Sequence, residues 1–525
     1  MTVIAALADA RGRGTFVLGS MAVTAGVALH LPMFLASRSM AYRMAGMAMD
    51  VGMLGGMALI VGGVAVAAYG LLPTDLARQR AAADMIVVTP AEDAPLTRAH
   101  VLLMAVLVVA LVIDVMKPAS LGFTVPGMVA EYRVAPQRVA LVPFFALAGT
   151  VVGSILWGAI ADVYGRKASI MLSAVMFVGT SICGAMPSLA WNIGMCFMMG
   201  AAAGGMLPVT FALLAEMMPR RHRGWSLVLV GGLGAGGGYF AASGCSALLQ
   251  PLFGWRILWL LNLPTGLLLI ALGALIPESA KFLLARGRSD QAQAVMRRFG
   301  AQARSLPSPA AASTAAQPVD LLTGYALVGK VTALSLTALA WGFVNFGLLL
   351  WLPTYLVARG FSVSISSRML ALSSIIAIPT IFIAALLYSR WSSKWSLVTS
   401  LAVTLAGIAG VVRLGWNGGS PVLPVALLIV GSNGVIAMLL PYATESFPLH
   451  VRARATGWVA ACSKAGGLVA QSLGILALVP ALATAAIAIA VPMTVALLLV
   501  MRFGRETRGR ELRTIDPLSS VPAGG

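Results

Sequence analysis

The sequence predicts an all-α integral membrane protein with two six-helix pseudo-symmetric halves and two extra N-terminal transmembrane helices. Three observations lead to this fold class: the composition, the number of long apolar stretches and a repeated loop motif. Of the 525 residues, 59% are hydrophobic and only 10% are charged, and the mean hydropathy is +0.92. An average soluble protein carries about 25% charged residues, so this chain cannot cover itself with a polar surface. A transmembrane β-barrel is excluded because its strands would alternate in polarity.

Fourteen stretches are long and apolar enough to be transmembrane helices, since a helix needs about 20 residues to cross the hydrocarbon core. They form groups of two, six and six along the chain. The predicted spans are 15–36 and 46–72; then 99–126, 137–161, 168–187, 189–215, 225–250 and 256–276; and then 330–357, 366–388, 396–414, 421–443, 456–479 and 481–502. The first stretch is longer than an ordinary signal peptide and a second apolar stretch follows closely, which favours a retained helix.

The predicted domains follow this grouping. They are a two-helix N-terminal membrane extension (1–75), a cytoplasmic connector (76–98), the N-terminal six-helix half (99–276), a central cytoplasmic loop (277–329), the C-terminal six-helix half (330–502) and a cytoplasmic tail (503–525). Within the central loop, residues 289–299 predict a short surface helix. Residues 303–320 are rich in Pro, Ala and Ser and predict a flexible linker.

The basic residues set the predicted orientation. The formal net charge is +19 and the isoelectric point is about 10.7, but the Lys and Arg residues lie in short clusters rather than on a nucleic-acid-binding surface. The clusters follow the second, fourth and sixth spans of each six-helix group, so they lie on one side of the membrane. Cytoplasmic loops carry such an excess of Lys and Arg. Both termini are therefore predicted to be cytoplasmic in a multi-pass protein of the cell membrane, expected to be a bacterial inner membrane.

A repeated motif indicates that the two halves arose by duplication. Residues 216–223 and 445–452 both have the pattern E-x-x-P-x-x-x-R, at a separation of 229 residues. The same separation brings the short basic loop 162–167 onto another basic loop, 391–396. Duplicated halves are typical of alternating-access transporters, in which a site between the halves opens to either side as one half rocks against the other.

The loop after the second span of the first half resembles a motif of the major facilitator superfamily. Residues 158–167 (GAIADVYGRK) match its pattern G-x-x-x-D-R-x-G-R-[RK], except that Val163 replaces the first Arg. We expect Gly158 to allow close helix contact and Gly165 to permit a tight turn. These contacts would join the cytoplasmic helix ends in one state and separate in the other. The predicted gating residues are Gly158, Asp162, Gly165, Arg166, Lys167, Glu216, Arg223, Glu445 and Arg452.

Two further segments indicate which branches of the superfamily the chain resembles. Residues 277–288 are similar to the P-E-S-P-R-x-L-x-x-x-G-R segment of sugar porters and organic-ion transporters. Residues 113–126, in the first core span, resemble the aromatic-acid:proton symporters and related metabolite:proton symporters, which carry D-G-[FY]-D there. Asp114 aligns with the first Asp of that motif, whereas Lys117 stands in place of the second. The resemblance implies proton-coupled transport of a small metabolite.

Ionisable side chains within the core spans are the main candidates for binding substrate or protons, because each costs at least about 2.5 kcal/mol at mid-span. Asp114 and Lys117 are three residues apart and share a helix face. In one hypothesis Lys117 meets an anionic substrate and Asp114 exchanges with it or takes a proton; in the other the two form a structural ion pair. Lys464 adds a second positive charge, which favours an organic anion, or extends to the interface instead. Further candidates, which could equally join helices to one another, are Asn345, Gln471, Asn433 and Tyr442.

The N-terminal helix pair carries an unusual number of methionines. Met49, Met53 and Met57 repeat at four-residue spacing, and His30 lies in the preceding span. Thioether and imidazole ligands suit Cu(I), whereas the simpler interpretation is adaptable Met packing. No metal site is predicted, but copper handling through this pair is kept as an alternative.

The predicted function is secondary active transport of a small organic anion or metabolite by alternating access, as symport with protons. The alternatives are proton-driven efflux of a drug or siderophore-like compound, and metal (copper) handling or sensing through the N-terminal pair. No enzyme activity is expected, because the sequence lacks G-x-S-x-G, H-E-x-x-H and Walker A patterns. The expected partners are the substrate, protons and the lipid bilayer, with no cofactor and no nucleic acid, and the protein is expected to be a monomer.

Overall fold

The computed structural model describes residues 2–71, 86–90, 95–285, 287–305, 325–417, 420–447, 449–476 and 481–507. Its helices are α1 (Thr2–Ala28), α2 (Leu31–Ala36), α3 (Val51–Leu71), α4 (Arg98–Tyr132), α5 (Pro136–Val139), α6 (Leu141–Tyr164), α7 (Arg166–Gly179), α8 (Leu189–Ala203), α9 (Met206–Met217), α10 (Arg220–Phe253), α11 (Ile257–Leu260), α12 (Asn262–Leu272), α13 (Ala280–Ala285), α14 (Ser289–Phe299), α15 (Tyr325–Gly342), α16 (Leu349–Ala358), α17 (Val363–Arg390), α18 (Ser393–Asn417), α19 (Val422–Ser446), α20 (Leu449–Ile475) and α21 (Leu482–Phe503). Short 3₁₀ turns lie at Ser37–Met40, Thr180–Ala185 and Gly273–Leu275, and a π-helical turn, Phe343–Leu348, joins α15 to α16.

The helices confirm the predicted membrane protein of about fourteen spans. In the described part of the chain, 13 segments are long and apolar enough to cross a membrane, and the 27-residue helix α20 occupies the position of the remaining span. The predicted division near Pro187 lies where the Ser188 side chain accepts a hydrogen bond from the Trp191 amide, as an N-cap residue does. The predicted surface helix at 289–299 is α14.

A two-stranded ribbon is the one part of the described fold that the sequence did not predict. Strand β1 (Ile86–Pro90) pairs antiparallel with β2 (Ala301–Ser305), with Ile86 opposite Ser305. The ribbon ties the connector between the N-terminal pair and the core to the central loop. It replaces the first residues of the flexible linker predicted at 303–320, and the remainder of that linker lies outside the described residues.

The N-terminal pair packs through glycines. A Cβ added at Gly19 or at Gly26 would lie 2.5 Å from the carbonyl oxygen of Gly63 or of Gly56, respectively. Such close backbone approach is typical of small residues between transmembrane helices. Helices α1 and α3 also contact α7 of the first half, so the pair lies against the core rather than apart from it.

An ion pair anchors the loop before α3 to the first half. Glu131, at the end of α4, pairs with Arg256 at 2.8 Å, and both side chains are almost fully buried. The same carboxylate accepts hydrogen bonds from the amides of Met44 (2.7 Å) and Ala45 (3.0 Å), and from the Trp255 indole (2.7 Å). The N-terminal pair is therefore fastened to the first half at both its helices and its connecting loop.

The two six-helix groups meet mainly along four helix contacts. These are α10 with α17 and α19, α4 with α16, and α6 with α20. Near the ends of α10 and α17, the hydroxyls of Ser246 and Ser367 lie 2.7 Å apart. The loops between α6 and α7 and between α17 and α18 lie at the other end of the bundle, which we call the basic side because it carries the predicted cytoplasmic clusters.

Candidate functional site

A cavity of about 490 Å³ lies between the two halves. Helices α4, α6, α9 and α10 of the first half and α15, α16, α19 and α20 of the second supply its walls. The lining residues lie near the middle of their helices, from Leu147 to Ile155 in α6 and from Gly457 to Lys464 in α20, so the cavity lies near the centre of the bundle. Its most polar wall positions are Asp114, Tyr239, Asn345, Asn433 and Lys464.

Asp114 presents an unsatisfied carboxylate to this cavity. The residue is 6% exposed, and its Oδ1 atom is buried without a hydrogen-bond partner. No hydrogen bond or ion pair joins Asp114 to another residue in the described part of the chain, although Lys464 and Lys117 both attract its charge. A buried carboxylate oxygen without a partner is costly, so this position suits a group that takes up a proton or contacts a ligand.

Lys117 contacts Phe177 and does not pair with Asp114. It is 2% exposed, and its Nζ donates to the Phe177 carbonyl at 3.4 Å and lies 2.7 Å from the centroid of the Phe177 ring. The side chain lines a narrow cleft with Leu121 and Leu350 rather than the main cavity. The structural ion pair considered from sequence is not formed here, and a role for Lys117 in binding substrate stays a prediction.

Lys464 is held on the cavity wall by tight packing of α15 against α20. A Cβ on Gly342 would collide with the Ser463 carbonyl, and one on Gly466 would collide with the Leu339 carbonyl. The ammonium of Lys464 lies 5.5 Å from the centroid of the Phe346 ring.

Asn345 lies in the π-helical turn that follows Gly342, on the same cavity. Single π-helical turns are frequent at functional sites because they re-aim side chains. Lys464, Phe346 and Asn345 thus form one wall of the second half.

The other polar candidates of the second half are divided. Asn433 lines the cavity, and its Nδ2 is buried without a partner. Gln471 donates to the Phe346 carbonyl and lines a separate pocket of about 190 Å³. Tyr442 donates to the Arg505 carbonyl at 2.6 Å, where the tail follows α21. The structure therefore brings Asp114, Lys464, Asn345 and Asn433 together and places Gln471 and Tyr442 elsewhere.

Tyr239 is a cavity residue that sequence reasoning missed. It is 9% exposed, and its hydroxyl is buried without a hydrogen-bond partner. In the sequence it is the only residue with a side-chain hydrogen-bonding group between Ser226 and Ser243, in a stretch rich in Gly. This isolation is the sequence signal that could have identified Tyr239 as a cavity residue, because a single phenol among small residues has room to face a ligand.

The first latch is a cluster of Arg166, Glu216, Glu278 and Ser279 on the basic side. Arg166 pairs with Glu216 at 3.2 Å, and the Ser279 hydroxyl donates to the other Glu216 oxygen at 2.6 Å. Glu278 accepts the backbone amide of Lys167 at 3.4 Å, so it caps the first turn of α7 where the helix dipole favours a negative charge. The cluster joins the loop after α6, the end of α9 and the segment before α13.

The second latch is formed by Tyr388, Ser393, Glu445, Glu506 and Thr507. Glu445 accepts hydrogen bonds from Tyr388 (2.8 Å) and Thr507 (2.7 Å). Glu506 accepts the backbone amide of Ser393 at 3.0 Å and its hydroxyl at 2.6 Å, which caps α18. The two latches therefore occupy equivalent places in the two halves.

The remaining gating candidates have mixed outcomes. Gly165 has a φ of +99°, as the expected tight turn requires. The close helix contact expected at Gly158 is not present, because a Cβ there would meet nothing within 4 Å. Arg223 attracts the charge of Glu445, and the side chains of Asp162 and Arg452 lie outside the described residues.

The methionines of the N-terminal pair pack as hydrophobic residues. Met53 is fully buried in a cluster with Phe34 and Ile60, and Met49 and Met57 pack against that cluster. The Nδ1 atom of His30 lies 2.8 Å from the Gly26 carbonyl. Among the described residues, no group of three or more His, Cys, Asp or Glu could hold a metal ion.

Two repeated helical halves around a central cavity with a few polar groups, and a latch in each half, are the arrangement of a membrane carrier. Residues 102–471 match the family model of the Major Facilitator Superfamily. The chain belongs to this family. Its members are transporters, which confirms that a carrier and not an enzyme was the right prediction.

Several curated relatives are named for the transport of small organic acids. The niacin transporter of Acinetobacter baylyi is 26% identical over 400 residues, covering 74% of this chain and 89% of that protein. A putative niacin/nicotinamide transporter of Bacillus subtilis is 28% identical over 407 residues, covering 76% and 94%. The benzoate transport protein of Acinetobacter baylyi is 22% identical over 398 residues, covering 73% and 84%. These matches confirm the resemblance to metabolite and aromatic-acid transporters.

The fold is similar to solved structures of a sugar symporter. The E. coli xylose transporter XylE, in a partially occluded inward-open conformation, superposes with a TM-score of 0.63 at 16% identity. The match covers 79% of this chain and all of that one. At this identity the likeness supports the fold alone.

Proposed function

We propose that this protein carries a small aromatic carboxylate into the cell in symport with protons. The observation that carries the proposal is the unpartnered Asp114 carboxylate of the first half in a cavity that Lys464 of the second half also lines. The basic side is taken as cytoplasmic, with both termini inside, because of its Lys and Arg excess. The names of the relatives, niacin and benzoate, supply the substrate class.

Charge balance supports an anionic substrate. Two lysines, Lys117 and Lys464, and one carboxylate, Asp114, lie at the centre of the bundle, so one positive charge is left over. Because an uncompensated charge is costly inside a membrane protein, a monocarboxylate beside Lys464 would balance it. Asn433 and Tyr239 offer further hydrogen-bond donors without partners to the same cavity.

Cavity chemistry supports an aromatic ring. Phe211, Tyr239, Trp341 and Phe346 all line the cavity. Ligand pockets of about 300–1,000 Å³ with apolar walls and a few polar groups are typical for small molecules, and 490 Å³ lies in this range. A single-ring acid can pack its ring on these walls while its carboxylate faces Lys464.

Proton coupling follows from the competition for Lys464. An ionised Asp114 attracts the Lys464 ammonium, whereas a protonated Asp114 leaves it available to a substrate carboxylate. Proton and substrate then favour each other's binding, because protonation removes the negative charge of Asp114 that would repel the substrate carboxylate and compete with it for Lys464. This is the linkage that a symporter needs.

The test is uptake into proteoliposomes of labelled nicotinate and benzoate, with and without an inward proton gradient. Nicotinamide serves as the neutral analogue, and xylose as an unrelated solute. We expect gradient-driven uptake of the acids and at least tenfold lower uptake in Lys464→Ala. Asp114→Asn should still exchange internal for external substrate but lose gradient-driven accumulation.

Lys394→Ala is the matched control, because Lys394 lies on the basic side and donates to the Met501 carbonyl at 2.8 Å. It should transport as the wild type does. Uptake of nicotinamide equal to that of nicotinate would contradict the charge argument. Wild-type uptake by Lys464→Ala would show that the central cavity is not the substrate-binding site.

A further inference from the structure

Another cavity of about 170 Å³ lies between α17, α18 and α19 of the second half, with Gly232 of α10 also in its lining. Ile383 of α17 and Thr399 of α18 line it and are exposed, Ile383 by 54%. In a chain that spans a membrane, such exposed positions on transmembrane helices face lipid. We call this cavity the lateral crevice, because its exposed lining residues lie on the side of the bundle.

Two buried polar groups in the lateral crevice have no partner. Ser396 is 1% exposed and its hydroxyl makes no hydrogen bond, and Asn433 is 7% exposed with an unpartnered Nδ2. A third polar residue, Ser400, has only the Met438 sulfur as its partner, at 3.9 Å. Because a buried donor without an acceptor is unfavourable, these groups favour an occupant that brings a carbonyl or hydroxyl oxygen.

The size and charge of the lateral crevice restrict that occupant further. An apolar cavity of about 150 Å³ can hold one benzene ring, and the lateral crevice is close to this size. Among the described residues, none that lines the lateral crevice is Asp, Glu, Lys, Arg or His. Because its exposed lining residues face lipid, the occupant is neutral. A lipid acyl chain would leave Ser396 and Asn433 unpartnered.

We propose that the lateral crevice is a second binding site, reached from the membrane, for a neutral single-ring molecule with a carbonyl group, such as benzamide. The ring packs against Ala384, Leu387 and Val430, and the carbonyl oxygen accepts a hydrogen bond from Ser396 or from the Asn433 amide. Asn433 and Ala437 also line the central cavity, so the two sites share one wall. The proposal does not depend on which substrate is transported.

The test is saturable binding of radiolabelled benzamide to the full-length protein in lipid nanodiscs. Ser396→Ala should weaken binding about fivefold, which corresponds to the loss of one hydrogen bond. Ala384→Phe should abolish it by filling the crevice, and Ala384→Leu should weaken it less. The melting temperature of each variant identifies any that fails to fold, and the milder Ala384→Leu then carries the comparison.

Two control variants separate the lateral crevice from its surroundings. Ser389→Ala removes a hydroxyl that bonds the Leu386 carbonyl on the same helix, outside the crevice, and should bind benzamide normally. Lys464→Ala alters only the central cavity and should also bind normally. Wild-type affinity in both Ser396→Ala and Ala384→Phe would overturn the proposal. Displacement of benzamide by excess nicotinate would place it in the central cavity, and displacement by decane would show that the site accepts acyl chains; either result would also overturn it.

Discussion

In the first latch Ser279 donates a hydrogen bond to Glu216 at 2.6 Å, and in the second latch Thr507 donates one to Glu445 at 2.7 Å. The preceding residue of each pair, Glu278 or Glu506, accepts a backbone amide at the start of the third helix of its half. A dipeptide of Glu and a hydroxyl residue therefore closes both halves in the same way. This shared geometry extends the repeat beyond the E-x-x-P-x-x-x-R motif, into the segment after each half's last span.

The second donor to the central carboxylate differs between the latches. Glu216 pairs with Arg166, and the two side chains are 26% and 18% exposed. Glu445 instead accepts from Tyr388, which is 3% exposed. A Cβ on Gly224 of the first half would lie 3.5 Å from the Tyr388 ring and 3.7 Å from Glu445. Each latch therefore keeps a hydroxyl and two carboxylates, and the difference lies in the second donor, which is the charged, partly exposed Arg166 in the first latch and the uncharged, buried Tyr388 in the second, next to the other half.

The largest difference between the latches should appear at the turn before the third helix. Gly165 has φ +99° and ψ 157°, a region that is essentially restricted to glycine. A Cβ there would also lie 2.8 Å from the Glu278 carboxylate. We expect Gly165→Ala to lower the free energy of unfolding by about 3 kcal/mol, measured by denaturation of the purified protein in detergent.

Lys394 stands 229 residues later, in the first turn of α18, where it donates an exposed hydrogen bond to the Met501 carbonyl and lies 5.5 Å from the Trp395 ring centroid. Lys394→Ala should change the free energy of unfolding by less than about 0.5 kcal/mol. Equal losses in the two variants would show that the positive φ of Gly165 places no special demand on the first latch.

The hydroxyl residues should give the next largest effect. Ser279→Ala should lower the free energy of unfolding by about 1.5 kcal/mol, because it removes a hydrogen bond to a carboxylate. Thr507→Val should cost about 2.5 kcal/mol by the same principle, since Thr507 also bonds the Ser393 hydroxyl at 2.7 Å.

The double variant Ser279→Ala/Thr507→Val tests whether the latches are independent. Distant sites without shared partners add to within about 0.5 kcal/mol, and additivity is the expected result. A coupling of more than about 1 kcal/mol would mean that the latches exchange energy through the contact between the halves, and the two-latch description would then be wrong.

The sequence was sufficient for the helices because apolar length is a local property. The predicted span 366–388 lies within α17 (Val363–Arg390), and 189–215 lies within the segment Leu189–Met217. The ribbon of β1 and β2 was not predictable in the same way. It pairs residues more than 200 positions apart, and neither short strand has a sequence pattern that identifies the strand with which it pairs.

The candidate site was predictable where charge alone marks a residue. Asp114 and Lys464 were identified because ionisable groups in a span are costly, and both lie on the central cavity. The direction in which a side chain points could not be predicted from the sequence, since it depends on how a neighbouring helix packs. Lys117 faces the carbonyl and ring of Phe177, and Tyr442 faces the Arg505 carbonyl.

The smallest expected effect concerns salt, and it separates the Arg166–Glu216 ion pair of the first latch from the Tyr388–Glu445 hydrogen bond of the second. Glu216→Gln removes the ion pair with Arg166 and should cost about 0.2–1 kcal/mol, the usual range for partly exposed pairs. Because added salt screens such pairs, with a Debye length of about 3 Å at 1 M, most of this loss should disappear in 1 M NaCl. Tyr388→Phe should lose more stability, about 1.5 kcal/mol, but by the same amount at both salt concentrations because its hydrogen bond is buried. Melting curves of the two variants at low and high salt measure this contrast. If Tyr388→Phe recovered stability in salt as Glu216→Gln does, salt would screen the Tyr388–Glu445 contact as it screens the Arg166–Glu216 ion pair, and the expected contrast would be wrong.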